Sequence, residues 1–119
     1  MDKIQALNAF WNSFGIPAFD SSAVPDKTAF PYITYDLTIS DFGEPVQQVA
    51  SIWYKSTSWG APTQKLEEIS QRIGRGGVMI AYDGGAIWLT KGANFAQRMT
   101  DENDTVRRYV LQVGLEYME

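Results

Sequence analysis

Side chains able to do covalent or acid–base chemistry are scarce here: the 119 residues include no histidine and no cysteine. Serine triads, thiol nucleophiles, zinc fingers and metal-activated water sites therefore lose their main components. Carboxylate, lysine and tyrosine chemistry remains. Glu67 and Glu68 are adjacent, and neighbours on a helix project about 100° apart, so they do not converge on one proton and read as a solvated helix face. Asp101-Glu102-Asn103-Asp104-Thr105 gathers acids and an amide as a calcium loop does. The pattern then fails: the sixth position is Val106 where the loop needs glycine, and the twelfth is Gln112 where it needs glutamate. It reads as a polar turn. Gly74-Arg75-Gly76-Gly77 is glycine-rich and basic, but phosphate loops precede a helix and use its N-terminal amides. These glycines follow one, which makes them a helix stop.

The aromatic residues carry more information than the ionisable ones. Trp53 and Tyr54 are neighbours in a β-rich run and must face opposite sides of a sheet, so they cannot enter one core together. One of them is free to stack on a nucleic-acid base or to be buried against another protein. Charge favours the protein. Three lysines stand against six acids in residues 1 to 60, and seven bases against eight acids in the remainder, for a net charge of −4. Neither half shows the concentrated positive footprint of a nucleic-acid binder.

The elements that position these residues can be read from periodicity. Ile4, Leu7, Phe10, Trp11 and Phe14 recur at helical spacing, with Asp2 placed to cap and Gly15-Ile16-Pro17 placed to stop. Residues Gly15 to Phe30 hold turn formers and two prolines, a surface loop with room for an extended piece at Ile16 to Phe19. Pro31 to Ile39 alternates, with Ile33, Tyr35, Leu37 and Ile39 on one face. After a polar turn at Ser40 to Pro45, Val46 to Trp59 returns as the second arm of a long hairpin. Leu66, Ile69 and Ile73 mark a second helix from about Pro62 to Ile73. Asp83-Gly84-Gly85 between Val78–Tyr82 and Ala86–Lys91 is a hairpin signal. Phe95 to Thr100 has the composition for a further short strand, and Asp101 to Asp104 forms a turn. Thr105 to Tyr117 closes the chain as a two-faced strand, with Tyr109, Leu111, Val113, Leu115 and Tyr117 on one side and Arg108, Gln112 and Glu116 on the other. The expected class is α+β: one domain over residues 1–119, a mixed, mostly antiparallel sheet with two helices packed on it, in the order α-β-β-α-β-β-(β)-β.

A domain of this length buries about two thirds of its unfolded surface and can hold one core without staples. An apolar fraction of 45% and a charged fraction of 20% are ordinary for a globular chain. No apolar run reaches the roughly 18 residues of a spanning helix. The polar residues of Met1 to Phe14 do not fit a signal peptide, so the expected site of synthesis and assembly is a cytoplasm.

The Phe30-Pro31-Tyr32-Ile33-Thr34-Tyr35 strand, the hairpin to Trp59, the helix Pro62 to Ile73 and the closing strand ending Gly114-Leu115-Glu116-Tyr117 together resemble the small tail-terminator, or minor capsid, proteins of long-tailed bacteriophages. The resemblance covers nearly the whole chain through element order and a loose motif. It implies a structural, non-enzymatic virion protein. Such a protein forms a ring, typically a hexamer, that caps the tail tube, ends its polymerisation and joins it to the head connector. DNA passes through the channel without specific binding. No catalytic residue, metal or cofactor is expected. A ring uses heterologous contacts between two different surfaces, for which the outer face of Val46 to Trp59 and the segment Ala93 to Asp104 are candidates. The expected interface residues are Asp41, Phe42, Glu44, Trp53, Trp59, Phe95 and Arg98. The alternatives are another phage head–tail connector or tail-tube component, or a monomeric ligand- or oligonucleotide-binding module.

Overall fold

The computed structural model describes residues 1–37, 45–99 and 103–118. Helix α1 spans Lys3–Trp11 and opens with a capping box, in which the Asp2 carboxylate accepts from the Gln5 amide while the Gln5 side chain accepts from the Asp2 amide. A single 3-10 turn at Asn12–Phe14 follows, and Gly15 ends it in the left-handed conformation at φ 82°. The buried face of α1 is Ala6, Leu7, Phe10 and Trp11. Ile4, expected on that face, is exposed instead, because the side of α1 turned to the sheet is centred on Ala6, Leu7, Phe10 and Trp11 and Ile4 falls at its margin.

Strands β1 (Ala18–Asp20) and β2 (Tyr32–Tyr35) pair in parallel, and β3 (Val46–Lys55) runs antiparallel to β2. The short extended piece near Ile16 to Phe19 is therefore a strand. Strand β2 stops at Tyr35, and Leu37 is exposed and not in the ladder. Of the loop at Ser40 to Pro45 only Pro45 lies within the described residues, so Asp41, Phe42 and Glu44 fall outside them, as does Ile39. Strand β3 ends at Lys55, earlier than the expected Trp59, which instead caps helix α2 (Gly60–Ile73). Helix α2 buries Pro62, Ile69 and Ile73, and Gly74 at φ 72° closes it. Gly77 then sits so near β5 that a Cβ would lie 2.7 Å from the Leu89 carbonyl oxygen, so the glycine run stops a helix and seats the next strand.

Strands β4 (Val78–Tyr82) and β5 (Gly85–Met99) form the foreseen hairpin. The further strand allowed at Phe95 to Thr100 is the far half of β5, joined to the near half by a bulge between Lys91 and Ala96. Strand β6 (Val106–Met118) pairs with β3 on one side and β5 on the other, giving the sheet order β1-β2-β3-β6-β5-β4. This is the α+β fold with a mixed sheet and two helices read from the sequence.

Both helices pack on one face. Tyr109, Leu111, Val113, Leu115 and Tyr117 of β6 share that core with Ile33, Tyr35, Ala50, Ile52, Ile87 and Leu89 and with Leu7, Phe10, Trp11, Phe14, Ile69 and Ile73. Helix α1 touches β1 and β4, the two edge strands. A flat sheet of six strands is about 24 Å wide, whereas nine helical residues span about 13 Å. The sheet is therefore curled around α1, and among the described residues no helix packs on its convex face.

One polar group is embedded in this core. Gln48 and Trp11 are fully buried, and the Trp11 indole donates to Gln48 Oε1 at 3.1 Å while Gln48 Nε2 donates to the Asp36 carbonyl at 2.8 Å. Gln48 thus ties α1, β3 and the chain leaving β2 together. A Gln48→Leu change strands the buried Trp11 indole N–H and removes the tie to the Asp36 carbonyl, and should destabilise the fold by about 2 kcal/mol, read as a lowered urea midpoint. The double change Trp11→Phe, Gln48→Leu should lose less than the sum of the two single changes.

Candidate functional site

Consecutive residues of β6 point to opposite faces, so Arg107-Arg108-Tyr109 feeds two separate aromatic clusters at one end of the sheet. On the convex face, the Arg108 guanidinium lies 4.3 Å from the Trp53 ring centroid and donates from Nε and one terminal nitrogen to Ser51 Oγ, at 3.1 and 3.0 Å. Trp53 stacks on Tyr32 at 6.1 Å, and its indole donates to Thr34 Oγ1 at 2.9 Å. Phe30 and Phe19 extend the row against Tyr32. A row of contacting aromatic rings with a cation at one end is stabilised by quadrupole attraction as well as by burial.

On the concave face the centre is Trp59. Its ring meets Tyr109 edge-on at 5.1 Å and carries Arg98 at 4.7 Å and Arg107 at 5.6 Å. The Tyr109 hydroxyl bonds Thr63 of α2 at 2.8 Å and accepts from Arg98 Nε at 3.2 Å. Arg107 reaches the carbonyls of Asp104 and Thr57, leaving its buried Nε without a partner. None of the three arginines forms an ion pair with a carboxylate among the described residues.

The structure thus brings Trp59 and Arg98 into one cluster and sets Trp53 on the other face. Tyr54, beside Trp53 in sequence, turns inward against the core. Phe95 lies apart from both clusters in the β5 bulge, under the Lys91 ammonium at 5.3 Å. Sequence reading missed Arg107, Thr63, Tyr32 and Ser51. The alternation of β6 could have flagged Arg107 as the inward partner of Tyr109, but no local signal marks the others. Asn103 Oδ1 accepts from the backbone and hydroxyl of Thr105, the turn expected there; Asp101 and Glu102 lie outside the described residues. No group of three or more carboxylates able to hold a metal occurs among the described residues.

Elsewhere, a groove of about 570 Å³ lies between α1 and the ends of β1 and β2, lined by Met1, Ile4, Asn8, Asp20, Tyr35 and Leu37. Met79 and Trp88, 54% and 38% exposed, form a cross-strand pair on the convex face of the β4–β5 hairpin.

The fold has a counterpart among solved structures. A chain in the structure described as "Virion of native gene transfer agent (GTA) particle" matches with a TM-score of 0.63 and 16% sequence identity, over 98% of this chain and 91% of that one. At this identity the likeness is one of fold. No family model matches the sequence, and no curated protein matches it.

Three tyrosines carry a pH signature. Burial raises the phenols of Tyr32, Tyr54 and Tyr117 above their ordinary value of 10.0; Arg108 and Lys3 partly oppose this at Tyr32 and Tyr117, while Glu68 adds to it at Tyr54. Since the folded values exceed the unfolded ones, the stabilisation is complete below about pH 10 and is lost as pH rises through the folded values. The urea midpoint should therefore fall above about pH 10, and a Tyr54→Phe variant should fall less steeply.

Proposed function

We propose that this protein is a structural component of a phage-like virion, forming a ring that caps the tail tube, ends its polymerisation and joins it to the head connector. The observation that carries this reading is the fold match to a virion chain over nearly the full length of both chains. The order of elements that resembles tail terminators supports it.

A cyclic assembly needs two different adhesive surfaces on each subunit. The apolar groove at Met1, Ile4 and Leu37 and the exposed Met79–Trp88 pair are separate apolar surfaces of that kind. The aromatic row about Trp53 is a third candidate, and Arg98 and Trp59 offer a charged one. A hexamer is the number the resemblance implies. A net charge of −4 suits a channel through which DNA passes, because tight phosphate binding would hinder passage. Another neck or tail component would share this ring physics and differ only in its partner. The monomeric oligonucleotide-binding reading is disfavoured by Trp53, whose ring already carries Arg108 and is stacked with Tyr32, leaving little open face for a base.

Native mass spectrometry of the purified protein, alone and mixed with the tail-tube protein encoded nearest to it, tests this reading. A discrete ring, alone or on mixing, is expected. A monomer indifferent to the tube protein would overturn the proposal.

A further inference from the structure

The two edges of the sheet are finished differently. At β1, the Asn12 carboxamide donates to the Ala18 carbonyl at 3.2 Å and accepts from the Ala18 amide at 2.9 Å, as a neighbouring strand would. The Asp20 carbonyl is taken by the Ala23 amide at 2.9 Å. That edge is closed to pairing. At the other edge, β4 covers only Gly85 to Leu89 of β5. Beyond the bulge, Ala96 to Met99 forms a regular ladder with Leu111 to Arg108 of β6. Among the described residues no strand lies on its other side, and no backbone hydrogen bond is made there. Gln97, Arg98 and Met99 are exposed. A run of unpaired backbone donors and acceptors on an exposed edge is a template for strand addition.

The side chains flanking this edge select what can add to it. Arg98 and Lys91 pair in register with Tyr109 and Val113, so both stand on the concave face, four β6 positions or about 13 Å apart. Neither is paired with a carboxylate among the described residues. Arg98 is held in place by Trp59 and the Tyr109 hydroxyl, so little side-chain freedom is lost when an anion meets it. A second copy of the same edge fits badly. Antiparallel pairing about the centre of the segment would bring Arg98 of one copy beside Arg98 of the other, and like charges close together across strands are destabilising. A second copy's β1 is closed by its own Asn12.

We propose that the β5 edge at Ala96 to Met99 is a strand-addition site for an extended, acidic segment of another protein, whose backbone continues the sheet and whose carboxylates meet Arg98 and Lys91. This goes beyond the ring reading and does not rest on it.

The test uses the whole protein, uniformly labelled with 15N, titrated with the peptide Thr-Glu-Val-Glu-Val-Glu-Thr, its Lys-for-Glu counterpart and an acidic version N-methylated at alternate residues. The acidic peptide should slow amide exchange within Ala96 to Met99 and shift those resonances. The basic and N-methylated peptides should not, and Arg98→Glu should weaken the acidic peptide about tenfold. Four results would each overturn the proposal: no change at Ala96 to Met99, equal effects of acidic and basic peptides, undiminished binding of the N-methylated form, or concentration-dependent protection of this edge without peptide, which would make a second copy the occupant. Because the wild-type chain is the main reagent, misfolding of the Arg98 variant cannot mask the result.

Discussion

The alternation of one strand organises this molecule. Strand β6 is paired with β3 over Val106 to Leu115 and with β5 over most of Arg108 to Met118, so the sheet takes up most of its backbone groups and its side chains are free to define two surfaces. The inward set, Tyr109 to Tyr117 at every second residue, is apolar and buried. At about 25 cal/mol per Å² of apolar area removed from water, such a row draws any available amphipathic helix to its face. Helices α1 and α2 answer it, and among the described residues the other face carries none.

That asymmetry governs the remaining features. Curling around α1 lets one short helix reach both edge strands, and the buried Trp11–Gln48 bond fixes where it sits. Buried polar bonds of this kind select one arrangement among several apolar ones, because every alternative leaves a desolvated donor or acceptor unpaired. The uncovered face meanwhile carries large apolar side chains in contact with water. Trp88 and Met79 are the plainest instances, and in the Trp53 row Arg108 lies over the indole.

The two aromatic–arginine clusters show how little sequence distance means across a strand. Arg107 and Arg108 are adjacent, yet one caps Trp59 beneath α2 and the other covers Trp53 on the opposite face. Each guanidinium lies over an indole rather than against a carboxylate. A ring face satisfies a cation partly and leaves hydrogen-bonding capacity open, which suits surfaces that have still to meet a partner.

Local pattern determined much of this protein. Period-two alternation placed β6 and the pairing of β2 with β3; the stripe of Leu66, Ile69 and Ile73 placed α2; Asp2 and Gln5 set the start of α1; and Asp83-Gly84 turned β4 into β5. These are effects of side-chain spacing and turn chemistry within a few residues. The absence of histidine and cysteine likewise removed whole classes of chemistry without any coordinates. Tertiary structure decided the rest. Trp59 belongs to the cap of α2 and not to β3 because Tyr109 and two arginines gather there, none of them near it in sequence. Ile4 stays in solvent because the sheet's curl, a property of six strands together, sets which side of α1 is inside. The protection of β1 by Asn12 and the open edge of β5 depend on which strands become neighbours. Hydrogen bonds between distant segments choose those neighbours, and no local window of the sequence contains them.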